Sequence, residues 1–369
     1  MRVAILNWRD SRHPQAGGAE VVVHQQATGL AKRGHDVTLY SSRFPSGLAE
    51  DTGDGYRICR SGTKFTVYPS VAQIVKRTVR TGQTDVILEH INGISFFSPL
   101  WARVPTVGYL YHVVGRTFFE ELPFPASLLG YAIERSLPVV FRHTQCLVLG
   151  SAARAQFEGF GFKRENLEVV SPGVDQATYH PGKKSDVPTI VCLGPIKQYK
   201  RHDVVLLAFS KVIKSVPEAR LIITGWDRGN RLSSLQALAA RLGVQKSVDF
   251  TGYVDEATKA RILRESWCLV YASEREGWGL GVAEAASSGT PTVATRIGGL
   301  RDTVIDGRTG MLYDVGRYDV LGRILIDFLL SARKLKEYSE ASLALSGRFS
   351  WTHHLDLVEL ALSRVLKKG

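Results

Sequence analysis

Apolar positions along this chain fall into short continuous runs, and between them lie stretches with helical spacing. Val3–Leu6 reads as a buried strand, followed by a glycine loop and a helix from about Ala19 to Arg33. Gly34 stops that helix, and Asp36–Tyr40 reads as the next strand. Thr84–Leu88, Thr106–Leu110 and Cys146–Leu149 are further strand candidates. The second half repeats the rhythm with strands at Thr189–Leu193, Arg220–Thr224, Ser247–Phe250, Cys268–Tyr271 and Thr292–Thr295. Helical patterns run from Asp203, near Leu232–Leu242, near Glu256–Glu265 and from about Leu280. Apolar strands alternating with helices predict parallel sheets covered on both faces.

Each half is long enough for its own doubly wound domain. The segment Ser171–Pro188 is rich in proline, glycine and charge and has no apolar period, which is linker composition. The expected division is an N-terminal domain over 1–180 and a C-terminal domain over 181–350. The helical pattern Thr352–Leu366 lies in a closing segment, 351–369, free to pack back on the first domain. Ligands of open parallel sheets bind beyond the carboxyl ends of the strands, so a cleft between two such domains is the expected site.

Composition narrows the class. At 44% hydrophobic and 22% charged residues, the 369-residue chain is globular rather than disordered. No run approaches the length of a spanning helix, and the N-terminus lacks a secretory signal pattern. Cys59, Cys146, Cys192 and Cys268 are widely spaced and form no zinc motif, so reduced thiols in a cytoplasmic protein are expected. The net charge of +12 attracts anions, and its spread over both halves fits a phosphate-rich ligand better than a nucleic-acid groove.

Two loops carry candidate chemistry. Gly17-Gly18-Ala19-Glu20 opens the first helix, where glycines admit a close ligand and first-turn amides suit a phosphate. An ordinary glycine cap reads the same way, and the spacing is not a dinucleotide fingerprint. The second loop follows Cys268–Tyr271 and holds Glu276 and Glu284 with seven residues between them. Glu276 falls in the loop and Glu284 about one turn into the helix. Gly277, Gly279 and their neighbours offer backbone amides to a diphosphate, and the carboxylates suit sugar hydroxyls and a ribose diol.

This second loop, with Glu284-Ala285-Ala286 and Gly289-Thr290-Pro291, resembles the signature of retaining nucleotide-sugar glycosyltransferases of family 4, which have the GT-B fold. The likeness extends to Arg296–Asp302, Asp306–Gly310, Phe250–Val254, Pro172–Asp175 with Pro181, and Gly17–Glu20. It implies an α/β GT-B architecture of two Rossmann-like doubly wound parallel-sheet domains facing a central cleft. The N-terminal domain would take the acceptor and the C-terminal domain the donor.

By the same resemblance, Glu276 contacts the donor sugar hydroxyls and Glu284 the nucleotide ribose. The amides of Gly277, Trp278, Gly279 and Leu280 face sugar and phosphate, and Gly17 and Gly18 meet the distal phosphate. Tyr253 and Val254 lie where the base is held. Lys200 neutralises the diphosphate leaving group, and His112, after the strand Thr106–Leu110, lies near the anomeric carbon and acceptor. Where the family usually has arginine this chain has Pro195, so Lys197 or Arg201 is the expected second cation. No cofactor or metal is implied, and the donor is a UDP- or GDP-sugar. The product keeps the anomeric configuration, with the leaving phosphate taking the acceptor proton.

The acceptor is expected to be a hydroxyl of a glycan, a lipid-linked molecule or a small molecule, with cell-envelope synthesis the favoured setting. Ser95–Trp101, Arg116–Ile133 and the helical pattern Val71–Val79 with Lys76, Arg77 and Arg80 suggest peripheral contact with an anionic membrane. The rival readings are a nucleotide-sugar epimerase or sugar phosphorylase of the same fold, a natural-product glycosyltransferase, and a non-enzymatic nucleotide-sugar sensor. A nucleic-acid partner is not expected.

Overall fold

The structure is a computed structural model and describes residues 1–227 and 229–368. The chain forms two compact units. One is Met1–Pro172 with the last helix, Trp351–Lys368, and the other is Gly173–Ser350.

In the first unit the strands are β1 (Arg2–Leu6), β2 (Asp36–Ser41), β3 (Glu50–Thr52), β4 (Arg57–Arg60), β5 (Val86–Ile91), β6 (Thr106–Leu110), β7 (Gln145–Val148) and β8 (Leu167–Val169). They form one sheet in the order β3-β4-β2-β1-β5-β6-β7-β8. Every pairing is parallel except β3 with β4. The order reverses between β1 and β5, which makes the carboxyl ends of those strands the switch point.

The second unit holds β9 (Thr189–Leu193), β10 (Arg220–Thr224), β11 (Val248–Gly252), β12 (Cys268–Tyr271), β13 (Thr292–Thr295) and β14 (Gly310–Tyr313). Their order is β11-β10-β9-β12-β13-β14, all parallel, with the reversal between β9 and β12. Strands such as Ile190–Cys192 and Leu269–Val270 are buried on both faces, as their uninterrupted apolar runs require.

The last helix belongs to the first unit because its polar groups have partners there. Gln26 Nε2 lies 2.9 Å from His354 Nε2, and Arg33 pairs with Asp356 and Glu359 at 2.7 and 2.8 Å. Gly29 leaves room for Leu355, whose methyl would stand 2.2 Å from a Cβ at that position.

The fifth strand begins later than its apolar pattern predicts and runs through Glu89 and His90. Both polar residues are buried because the fold satisfies them. Glu89 accepts bonds from Ser95 Oγ and Phe96 N with one oxygen, and from Ser98 N and Oγ with the other. His90 Nδ1 meets Tyr111 OH at 2.8 Å. Buried carboxylates hold two other loops at this edge of the sheet. Glu20 accepts from Gly17 N at 2.7 Å and from Arg9 at 3.2 Å. Glu134 grips the loop after β6.

Candidate active site

In the second unit the loops after β9 and β12 are stitched together. Glu274 N donates to Tyr199 O at 2.7 Å, and Arg201 reaches Glu274 Oε1 at 2.6 Å. A short 3₁₀ turn, Gln198–Lys200, aims Lys200 inward. Its Nζ lies 2.5 Å from Glu276 Oε2, 5.7 Å from the Tyr199 ring centroid and 5.1 Å from that of Tyr271. The Lys200 side chain is 10% exposed and that of Glu276 19%. Burial pulls the Lys200 pKa down, and the charge of Glu276 more than offsets it, leaving the ammonium held above its ordinary value. Lys200 is therefore a charged and nearly dry cation, at the carboxyl ends of the two strands flanking the switch point.

Backbone geometry shapes the Glu276 loop. Gly279 adopts φ +92 and caps the helix Leu280–Ser287. A side chain there would strain the backbone and meet Leu300 at 2.9 Å. Gly299 lies under the loop, where a Cβ would stand 2.2 Å from Gly277 O and 2.3 Å from Trp278 Cα. The glycine pair at 298–299 thus backs the acidic loop. Trp278 turns its ring into the unit's own core, edge-on to Phe349 at 5.2 Å, so only its main chain can face a ligand.

Glu284 is the fifth residue of that helix and is buried. Its Oε1 lies 3.0 Å from Lys259 Nζ, which also pairs with Glu256 at 3.0 Å, and Tyr179 OH donates to Glu256. Burial pushes the Glu284 carboxyl up, and Lys259 opposes the shift. Val254 lines a cavity of about 360 Å³ with Thr258 and Ile262, at a place that includes neither Lys200 nor Glu276. Tyr253 is 76% exposed.

The first unit holds the remaining candidates. Gly17 is extended and caps the helix Gly18–Lys32; its own amide is taken by Glu20. A Cβ at Gly18 would meet nothing within 4 Å. His112 is exposed just past β6. Tyr111 OH donates to Ala19 O at 3.1 Å, so the His112 loop and the Gly17–Gly18 helix start share one edge of the sheet.

The structure thus brings Lys200 to Glu276 and gives Glu284 a lysine partner. The expectation for Arg201 as a second cation meets a competing arrangement, since its guanidinium is engaged by Asp203 at 3.0 Å as well as by Glu274. Lys197 lies over the Tyr199 and Trp226 rings instead, at 5.7 and 5.9 Å. Lys259, Glu256 and Tyr179 escaped the sequence reading because nothing local marks them. Glu134 carried a signal, as the first charged residue after the uncharged stretch Leu122–Ile133.

The sequence matches two family models that divide the chain between them. Residues 16–178 match Glycosyltransferase Family 4, and residues 176–344 match Glycosyl transferases group 1. A D-inositol 3-phosphate glycosyltransferase of Segniliparus rotundus is 30% identical over 56% of this chain, and the alignment spans only 48% of that relative's length. A GDP-mannose-dependent alpha-(1-6)-phosphatidylinositol monomannoside mannosyltransferase of Mycolicibacterium smegmatis is 25% identical over 91% of this chain and 90% of its own. The structure resembles Anabaena HepE in complex with UDP-glucose, with a TM-score of 0.78 at 18% identity, covering 98% of this chain and 99% of that one.

Proposed function

The chain belongs to glycosyltransferase family 4, with the GT-B fold, and we propose that it moves a hexose from a UDP- or GDP-sugar to an acceptor hydroxyl with retention of configuration. The observation that carries this reading is the buried Lys200–Glu276 pair at the switch point of the second sheet. A departing nucleoside diphosphate gains negative charge, and a fixed, dehydrated cation stabilises that charge without reorganisation. Lys200 serves as that cation. Glu276 holds it in place before donor arrives and then accepts bonds from the sugar hydroxyls.

The amides of Gly277 to Leu280, at the positive end of the helix Leu280–Ser287, take the phosphates. Glu284 accepts the ribose diol, and the Tyr253–Val254 main chain meets the base. Gly17 and Gly18 keep their proposed place at the distal phosphate, through the amides of Gly18 and Ala19 beside the engaged Gly17. His112 orients the acceptor. In the transfer step the acceptor oxygen bonds to the anomeric carbon as the bond to the phosphate oxygen breaks, and the acceptor proton passes to that oxygen. The reading needs no resident metal or cofactor.

The mycobacterial relative's name cites GDP-mannose, and HepE was solved with UDP-glucose; both nucleotides therefore belong in the test. A panel of UDP- and GDP-hexoses is incubated with the enzyme and assayed for nucleotide release, with proton NMR of the freed or transferred sugar. Release from one donor with the anomeric configuration kept supports the reading. Conversion of the donor into an epimer, or binding without turnover, replaces it with the epimerase or the sensor.

Free thiols at all four cysteines support placement in a reducing, cytoplasmic compartment. No helix among the described residues is long and apolar enough to cross a membrane. We place peripheral membrane contact on exposed Phe124, Leu128 and Leu129 at the start of the helix Ala126–Val140, with exposed Lys76, Arg77 and Arg80 on the helix Val67–Arg80. That contact, and an envelope glycan or lipid-linked acceptor, fail if the protein does not co-float with anionic vesicles at low salt.

A further inference from the structure

The loop after β6 carries His112, and its three following amides all point at side chains from other elements. Val113 N donates to Gln156 Oε1 at 3.3 Å. Val114 N donates to Glu134 Oε1 at 2.5 Å, and Gly115 N to Glu134 Oε2 at 2.7 Å. Glu134 rises from the third turn of the helix Ala126–Val140 and is only 2% exposed. Each of its two oxygens takes one of two consecutive amides. Val114 lies in the right-handed helical region, φ −72 and ψ −43, which turns the N–H of Gly115 beside its own, and Gly115 follows at φ +56. Two converging donors favour an anion between them, so a carboxylate at this position holds the loop in this shape.

The placement is economical for chemistry. A buried carboxylate unsatisfied at either oxygen costs stability, and a loop amide without a partner costs more than a made bond returns. Glu134 and the two amides satisfy each other, fixing the backbone two residues beyond His112. His112 itself is exposed, on the backbone that leads into this anchored pair of amides.

We propose that Glu134 is a positioning residue that sets the His112 loop for transfer, acting through the backbone of Val114 and Gly115. The proposal rests on the reading of His112 beside the acceptor. It assigns no contact between Glu134 and any substrate.

The test compares wild type, Glu134→Gln, Glu134→Asp and His112→Ala. Glutamine keeps the shape but places an NH₂ against one of the two amides, donor facing donor. Aspartate keeps both acceptor oxygens on a shorter arm. The readouts are amide hydrogen exchange over 112–118, thermal melting, UDP and GDP affinity by calorimetry, and the rate of UDP-glucose and GDP-mannose hydrolysis with water as acceptor.

The expected result for Glu134→Gln is exchange at Val114 and Gly115 faster by about 10-fold or more and a kcat lower by about 10-fold or more. Nucleotide affinity stays within about 2-fold, and Glu134→Asp recovers part of kcat. His112→Ala loses kcat without faster exchange. Unchanged kcat in Glu134→Gln while His112→Ala is impaired overturns the positioning role. A kcat loss that merely follows a melting temperature below the assay temperature, with no rescue by aspartate, also overturns it. Unchanged kcat in His112→Ala, or hydrolysis of neither donor by wild type, instead overturns the reading of the site on which the proposal rests.

Discussion

Removing one member of the Lys200–Glu276 pair should strand the other in a dry site. The two side chains meet at 2.5 Å with 10% and 19% of their surfaces exposed. Losing one partner of a buried pair costs roughly 3–5 kcal/mol, and the residual wetting of Glu276 puts this pair near about 3 kcal/mol. Lys200→Met and Glu276→Gln should each lose about that much in urea unfolding. The double variant should lose no more than either single one, because no uncompensated charge remains. The coupling in the cycle should then be about 3 kcal/mol. In turnover, Lys200→Met should cut donor hydrolysis by about 100-fold or more, the scale of one lost group aimed at developing charge.

The pH dependence has a definite sign. Burial lowers the Lys200 pKa, but Glu276 leaves it above the ordinary 10.5. Its contribution to stability is fully present below the unfolded value and is lost as pH rises through the higher folded value. Wild-type stability should therefore show no loss from Lys200 at neutral and mildly alkaline pH. In Glu276→Gln, burial loses its main opponent, and the alkaline loss should begin at lower pH. Single losses that simply add, or Lys200→Met turnover within about 3-fold of wild type, would refute the reasoning.

Two further outcomes are expected. Glu284→Gln should weaken UDP or GDP binding by about 10-fold or more, a charged hydrogen bond's worth, with a smaller change in kcat, as read by calorimetry beside steady-state rates. In the first unit, Asp10 and Arg60 are fully buried and joined at 2.7 and 3.0 Å, and Arg60 keeps Asp51 at 3.1 Å as a second partner, so Asp10→Asn should cost about 3 kcal/mol in urea. Burial raises the Asp10 pKa and Arg60 outweighs it, leaving it below 3.8. That stabilisation is present above 3.8 and disappears as pH falls through the depressed value, a slope that acid titration of the Asn variant should lack.

Strand–helix alternation was legible because a strand buried on both faces needs an unbroken apolar run, and the runs at Thr189–Leu193 and Cys268–Tyr271 fold as strands over those same residues. The glycines of the acidic loop were legible as well, since Gly279 requires a left-handed backbone and Gly299 a bare one. β3, β4 and β8 were not, because charged residues interrupt each of these short runs, and β14, Gly310–Tyr313, was missed as well.

The sequence by itself determined the two α/β halves, the reaction family and the acidic loop, because periodicity, glycine placement and motif spacing are local properties of a chain. Tertiary structure alone decided the partners of buried charges. Lys259 meets Glu284 across 25 residues, Lys200 meets Glu276 across 76, and Glu134 reaches back 20 to Val114. A buried charge takes whichever counter-group folding brings within reach, and that distance is written in the sheet order rather than along the chain.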